Sequence, residues 1–400
     1  MFREHHICRS CRSENLVEVF AFDRPLALAN NFVKPGEERE GFVPVRVLFC
    51  RNCTLAQLGE TVSPEVLYKN YLFVQSDSQT MLRHFDRFTK DIVSEAGMGS
   101  LLEIGANNGA YLAFALSRGF TNVLGVDPAS NLLGLKVPML TGFFGLPLAE
   151  SIKELLGGSP DIITARHCFC HQEWHPFMQA VAAVAHKKTL LAIEVPYAPN
   201  LIEKAEFDTL YSEHTSLLTV KSVVALLKGY PFRLHAALKY SIHGGCVLLM
   251  IRHVDSGIQP HLSADEILAD ENVTEESWRD FSLKAHGKIA ALKSIVADLR
   301  SKGKIVAMFG ASAKASVMIG ACGWQKQDIE FASDNSKFKP GCLVPGTDIP
   351  VIDESEFLSM HADYAIMGAW QYETEILAKM DKWRKRGGKF LIPGKELRIV

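Results

Sequence analysis

The pattern of apolar and polar positions divides the chain into three segments. From residue 1 to about 75, short apolar stretches such as VEVFAF and VRVLFC are broken by Pro25, Pro35-Gly36 and Gly41, which predicts small β-strands and no periodic helix. In SDSQTMLRHFDRFTKDIVSEAG, Met81, Leu82, Phe85, Phe88 and Ile92 recur at helical spacing behind Ser and Asp residues suited to a cap. From about residue 98 the order becomes strand, glycine turn, helix. SLLEIGANNG, TNVLGVDPA, DIITARH and TLLAIEVPY are strand-like runs between helices, the signature of a mostly parallel, doubly wound α/β sheet. A polar helical stretch from SADEIL to DLRSKG marks a boundary, and the same order restarts in KIVAMFGASAKA, DIEFASDN, IPVIDESEF and DYAIMGA. Two such beginnings imply two α/β domains. The predicted divisions are 1–75, 76–252 and 253–400.

A chain of 400 residues, 48% hydrophobic and 22% charged, excludes a disordered, collagen-like or coiled-coil protein. With 43 basic against 45 acidic side chains there is no basic field, so nucleic acid and anionic membrane are not expected partners. No apolar run reaches the ~18 residues of a membrane span, and MFREHHICRS lacks a signal-peptide core. A cytoplasmic protein acting on a small molecule is expected. The sequence does not set the oligomeric state, and a monomer is compatible with it.

Four of the nine cysteines form two knuckles, Cys8-x2-Cys11 and Cys50-x2-Cys53. In a reducing compartment this predicts a tetrahedral zinc site of four thiolates, structural because no coordination position stays open.

Glu103-Ile-Gly105-Ala-Asn107-Asn-Gly109 lies between a strand and a helix, and Asp127 ends the next strand. The glycines let a ligand approach the backbone, and a strand-end carboxylate accepts the hydroxyls of an adenosine ribose. Asn107 stands where a dinucleotide fingerprint has its second glycine, so the turn suits S-adenosylmethionine (SAM) better than NAD; a turn without a ligand is the plain alternative. Gly310-Ala-Ser-Ala-Lys314 is a second such turn, followed by Asp334. It is not a P-loop, and its helix N-terminus with Lys314 suits a phosphate about as well as it suits a purely structural turn.

Titratable groups gather in three places: His167-Cys-Phe-Cys-His171, Tyr211-Ser-Glu213-His214, and His243-Gly244-Gly245. They are ingredients for general acid–base work near neutral pH. No metal-ligand spacing recurs among them, and any one histidine is as readily structural.

Together these residues resemble the SAM-dependent sugar C-methyltransferases that act on nucleotide-linked deoxysugars. The paired knuckles, LLEIGANNG, the strand followed by His171, IEVPY, FDTLYSEH, HGG, and FGASAKA with PGTDIPV occur in the family's order over nearly the whole chain. The resemblance implies a zinc-binding β domain, a central Rossmann-like class I methyltransferase domain, and a second Rossmann-like domain that helps hold a nucleotide sugar. It implies methylation of the carbon beside the ketone of a 4-keto sugar, with SAM at Glu103, Gly105, Asn107, Gly109 and Asp127. Tyr71, His243, Gly244 and Lys314 would then face the substrate. His214, oriented by Glu213, would remove the proton; Tyr211 and His171 would steady the enolate oxygen, and zinc would take no direct part. The chain departs from the family at Ala106, Asn108, Ser212, Cys246 and Ala315. The rival expectations are an O- or N-methyltransferase, an NAD-dependent oxidoreductase using either glycine turn, and an inactive zinc-ribbon module.

Overall fold

The computed structural model describes residues 2–39, 41–68, 72, 78–129, 131 and 137–400. At its centre is a seven-stranded sheet made of β1 (Leu101–Ile104), β2 (Val123–Asp127), β3 (Met139–Thr141), β4 (Ile162–Arg166), β5 (Leu190–Pro196), β6 (Phe232–Tyr240) and β7 (Cys246–His253). Their order is β3-β2-β1-β4-β5-β7-β6. All neighbouring pairs from β3 to β5 are parallel, whereas β7 is antiparallel to both β5 and β6. Leu, Ile and Val fill these strands because helices cover both faces. The chain leaves β1 toward β2 on one side and returns to β4 on the other, which opens a crevice at the carboxyl ends of β1 and β4.

Helix α1 (Gln79–Ala96) forms as the periodicity predicts, with the Ser78 hydroxyl accepting the Met81 N–H and with Met81, His84, Phe85, Phe88 and Ile92 buried. Helix α2 (Ala110–Ser117) leaves the glycine turn. The N-terminal region builds a four-stranded antiparallel sheet from Leu16–Ala21, Arg46–Cys50 and Ala56–Leu58. Its fourth strand, Ser216–Leu217, comes from the middle of the chain, with Ser216 opposite Gln57 and Leu217 opposite Ala56. One short helix, Pro64–Tyr68, also forms in this region, where the pattern predicted none.

The boundary stretch is two helices, and the longer, α3 (Glu275–Ser301), is more than a linker. Its Trp278, Phe281, Ala285, Leu292 and Val296 are fully buried. They belong to one continuous core with Val19, Phe20 and Phe49 of the N-terminal region and Val306, Met308 and Ile366 of the C-terminal one. The C-terminal sheet contains β8 (Val306–Phe309), β9 (Ala332–Asp334), β10 (Val351–Asp353), β11 (Tyr364–Met367), β12 (Lys389–Pro393) and β13 (Leu397–Ile399). Its order is β10-β9-β8-β11-β12-β13, parallel except at β13. Helix α4 (Ala313–Cys322) follows its glycine turn. No helix among the described residues is long and apolar enough to cross a membrane.

Candidate active site

The two knuckles close on each other. Each turn is a copy of the other: Arg12 N–H bonds to Cys8 C=O at 3.0 Å and Thr54 N–H to Cys50 C=O at 2.9 Å. Arg12 and Thr54 take φ of 59° and 64°, which curls both sulfurs of a knuckle to one side. All four Sγ atoms lie within 4.8 Å of one another. Mutual S–H bonds pull the Cys50 thiol far down and push Cys8 and Cys53 up, as expected when one thiolate is surrounded by thiols that share its charge. A divalent ion replaces those protons, and four sulfurs at this spacing suit zinc.

At the end of β1 the glycine turn is tight enough to demand glycine twice. A Cβ on Gly105 (φ 70°) would stand 2.5 Å from the Cys168 Cβ, and one on Gly109 (φ 77°) 2.4 Å from Val137 Cγ2. Asn107 also has positive φ, at 51°. Asp127, at the end of β2, accepts the Asn107 N–H at 2.7 Å on one oxygen and the Ala129 N–H at 2.9 Å on the other. Each oxygen keeps a second acceptor position. Glu103 commits one carboxylate oxygen inside the protein. Its Oε1 pairs with buried Arg166 at 2.7 Å, and that guanidinium lies over the Tyr111 ring at 4.1 Å. Burial raises the Glu103 carboxyl to about 7. Its Oε2 is buried without a hydrogen-bond partner among the described residues.

The predicted acid–base residues meet in part. His214 Nδ1 faces the Thr209 carbonyl at 2.8 Å, and its Nε2 faces the Tyr211 hydroxyl at 3.0 Å. A carbonyl only accepts, so Nδ1 carries the hydrogen and Nε2 receives the tyrosine's O–H. The His171 ring lies 5.1 Å from that of His214 and stacks on Tyr68 at 5.9 Å with 9° between planes. Its Nε2 is buried without a hydrogen-bond partner among the described residues. Two expectations are corrected here. Glu213 does not orient His214; its carboxylate accepts from the Asn30 side chain at 2.7 Å, across to the N-terminal region. Nor is His214 poised near neutrality, because burial and the neighbouring His171 hold it well below the usual histidine value. Burial holds His171 at about 3 in the same way. Both rings are neutral at cellular pH. Tyr71 lies outside the described residues.

A second group, missed in the sequence, sits beside the first. Glu194 on β5 is fully buried; it takes His84 Nε2 of α1 at 2.8 Å and His167 Nε2 at 2.7 Å. His243 meets His167 edge to face at 4.7 Å and bonds through Nδ1 to the Tyr372 hydroxyl of the C-terminal region at 3.2 Å. Gly244 (φ 94°) lies against Glu206, where a Cβ would be 2.7 Å from a carboxylate oxygen. Lys314, at the start of α4, pairs with Glu206 at 3.0 Å and lies over the Trp370 ring at 5.1 Å. Its charge helps hold both His214 and His243 unprotonated, so the second glycine turn reaches the central cluster. A cavity of about 360 Å³ beside Leu116, Asn122 and Leu155 borders none of these groups.

Three family models cover most of the chain: a zinc binding domain over residues 8–68, a methyltransferase domain over 78–237, and a C-methyltransferase C-terminal domain over 241–393. C-methyltransferase NovU of Streptomyces niveus is 29% identical over 407 residues, 98% of this chain and 96% of that protein. A zinc binding domain, a methyltransferase domain and a C-methyltransferase C-terminal domain thus follow one another in this chain. The chain is therefore a SAM-dependent methyltransferase. Solved structures with local likeness include N-methyltransferase NodS of Bradyrhizobium japonicum (10% identity, TM-score 0.33, 45% of this chain and 99% of that one). Another is the magnesium protoporphyrin IX methyltransferase of Synechocystis PCC 6803 with bound SAH (14%, TM-score 0.34, 43% and 83%).

The methyltransferase has residues that fit both SAM and a structural zinc. The thiolate set fits a structural zinc. For SAM, Asp127 has acceptor positions left for ribose hydroxyls, and the partnerless Oε2 of Glu103 fits an amino donor.

Proposed function

We propose that this C-methyltransferase methylates the carbon beside the ketone of a nucleotide-linked 4-keto deoxysugar. The observation that carries the chemistry is the Tyr211–His214–Thr209 chain beside the partnerless His171 nitrogen. A C–H bond next to a ketone gives up its proton only to a placed base while donors steady the forming enolate. The proton passes to the Tyr211 oxygen as that tyrosine's own proton moves to His214 Nε2, and the electron pair stays on the enolate. Burial keeps Tyr211 a phenol and His214 a neutral acceptor, so the pair is ready in the right protonation state. His171, as its Nε2–H tautomer, donates to the enolate oxygen. SAM, when bound, supplies the electrophilic methyl group. The sugar and nucleotide parts of the reading are supported by the motif order and by Lys314, Trp370 and Tyr372 reaching the cluster from the C-terminal region.

The test is a thermal-shift panel of nucleotide 4-keto sugars run with S-adenosylhomocysteine present, followed by proton NMR of the hit in deuterated solvent. The proposal expects stabilisation by a 4-keto sugar and loss of the signal from the proton beside the ketone. A ligand that binds and is methylated without that exchange would make the enzyme an O- or N-methyltransferase.

A further inference from the structure

The register of the central sheet brings three unlike donors together. Arg166 pairs with Glu194 across β4 and β5, so His167, the next residue, leaves the strand beside that carboxylate. Across β5 and β7, Pro196 is opposite Cys246, which puts Cys246 on the same face as Glu194, one diagonal step away. His167 Nε2, a Glu194 oxygen and Cys246 Sγ lie within 4.8 Å of one another. No two of the three are close in sequence, so ligand spacing along the chain does not reveal them.

We propose that His167, Glu194 and Cys246 form a second metal site, for a divalent ion of the zinc type, with one coordination position open. Four observations support it. The donors are one nitrogen, one oxygen and one sulfur, a mixture that borderline ions accept. The two distances from the histidine nitrogen fit a single ion: with metal–nitrogen and metal–sulfur bonds of about 2.0 and 2.3 Å, the 4.0 Å from His167 Nε2 to Cys246 Sγ gives an angle of about 135°. The 2.7 Å from the same nitrogen to Glu194 Oε1 gives about 85° with bonds of about 2.0 Å. The two angles straddle the tetrahedral value and are reached with shifts of tenths of an ångström. The charges also close, since a carboxylate and a thiolate, both on fully buried residues, neutralise a divalent cation.

The fourth observation is the surrounding support. His84 Nε2 holds the Glu194 carboxylate at 2.8 and 3.0 Å, as an outer partner does for a metal-bound carboxylate. His243 packs its ring against His167 from the other side. Both His167 and His243 have left-handed backbones, φ 55° and 52°, a cost that non-glycine residues bear where the surroundings require it. Three protein ligands leave a fourth position that a substrate carbonyl or hydroxyl oxygen can take. That last role rests on the function proposed above; the metal itself does not.

The experiment counts metal on the full-length protein and needs no substrate. Zinc is titrated into chelator-stripped protein and bound metal is measured by elemental analysis after removal of free ion. Wild type is expected to hold two zinc ions per chain, and Cys246→Ser and Cys50→Ser one each. Cobalt in place of zinc should give sulfur-to-metal absorption from both sites, and Cys246→Ser should lose only the weaker site's share. His84→Asn is expected to weaken the second ion 10- to 100-fold without touching the first, roughly the effect of losing an outer partner. Wild type saturating at one ion, or Cys246→Ser still holding two, overturns the proposal. A positive count with no exchange of any keto sugar would leave the metal standing and sink the substrate reading instead.

Discussion

Two glycine turns, one at the head of each doubly wound sheet, share a backbone and differ in what completes them. At the end of β1, Gly105 and Ala106 both donate to the Val126 carbonyl, at 2.8 and 3.2 Å. At the end of β8, Gly310 and Ala311 both donate to the Ser333 carbonyl at 2.9 Å. The residue after each acceptor is an aspartate, Asp127 or Asp334. Asp127 meets only backbone N–H groups among the described residues, so its charge is left for a ligand. Asp334 is paired with Lys339 at 3.2 Å, and the same ammonium donates to Ala311 of the turn at 2.8 Å. Phe32 of the N-terminal region lies 5.0 Å from that ammonium. A lysine of the chain thus takes the place a ligand's hydroxyls would take. The strand–turn–helix signature alone does not make a nucleotide site; the charge left over at the aspartate does.

The comparison divides the expected effects of substitution. His214→Asn, in the central region, should lower methyl transfer by ~10²–10⁴ while SAM affinity stays nearly intact, because asparagine cannot take the proton that Tyr211 passes on. Single-turnover rates at saturating substrate read this directly; a loss in affinity with the rate preserved would place His214 outside the reaction. Asp334→Ala, in the C-terminal region, should cost about 3–5 kcal/mol of stability, since it strands the buried Lys339 ammonium. Urea midpoints measure it, and replacing Lys339 with methionine in the same chain should restore most of the loss.

The smallest effect is a difference in acid sensitivity. Burial depresses His171 to about 3 and holds His214 and His243 well below the usual value, so the unfolded chain binds protons that the folded one refuses. Stability therefore rises with pH between about 3 and 6.5 and is lost as pH falls through that window. In the C-terminal region, the Ile305 N–H holds the Asp363 carboxyl below its ordinary range, so the matching loss there begins only at lower pH. Hydrogen exchange at pH 5.5 against 7.5, corrected for intrinsic rates, should show protection falling around residues 167–171 and 211–214 before 363–367. A uniform fall would erase the distinction.

How far the sequence went depended on the range of the interactions. The knuckles, the glycine turns and α1 are local, set by residues a few positions apart, and they form as predicted. What failed was non-local. Nothing near Ser216 and Leu217 marks them as the fourth strand of a sheet begun two hundred residues earlier, at Leu16. Glu213 looked like the natural partner of the adjacent His214, yet its carboxylate crosses to Asn30. Burial, invisible in a string of letters, moved His214 away from the neutral pKa assumed for it. Glu194 did carry a signal, a lone carboxylate inside the apolar run LLAIEVP that had to be paired if buried. Its partner His84 fell on the buried face of α1. Each was readable as an anomaly, and only the sheet order joined them.

The chain is expected to hold SAM at the central turn and nowhere else. Calorimetric titration of S-adenosylhomocysteine into wild type, Asp127→Ala and Asp334→Ala proteins tests it. One site per chain is predicted in wild type, weakened by about 1.5–3 kcal/mol in Asp127→Ala, the worth of a charged acceptor, and unchanged in folded Asp334→Ala. Wild-type affinity in Asp127→Ala, or a second site lost with Asp334, would contradict it.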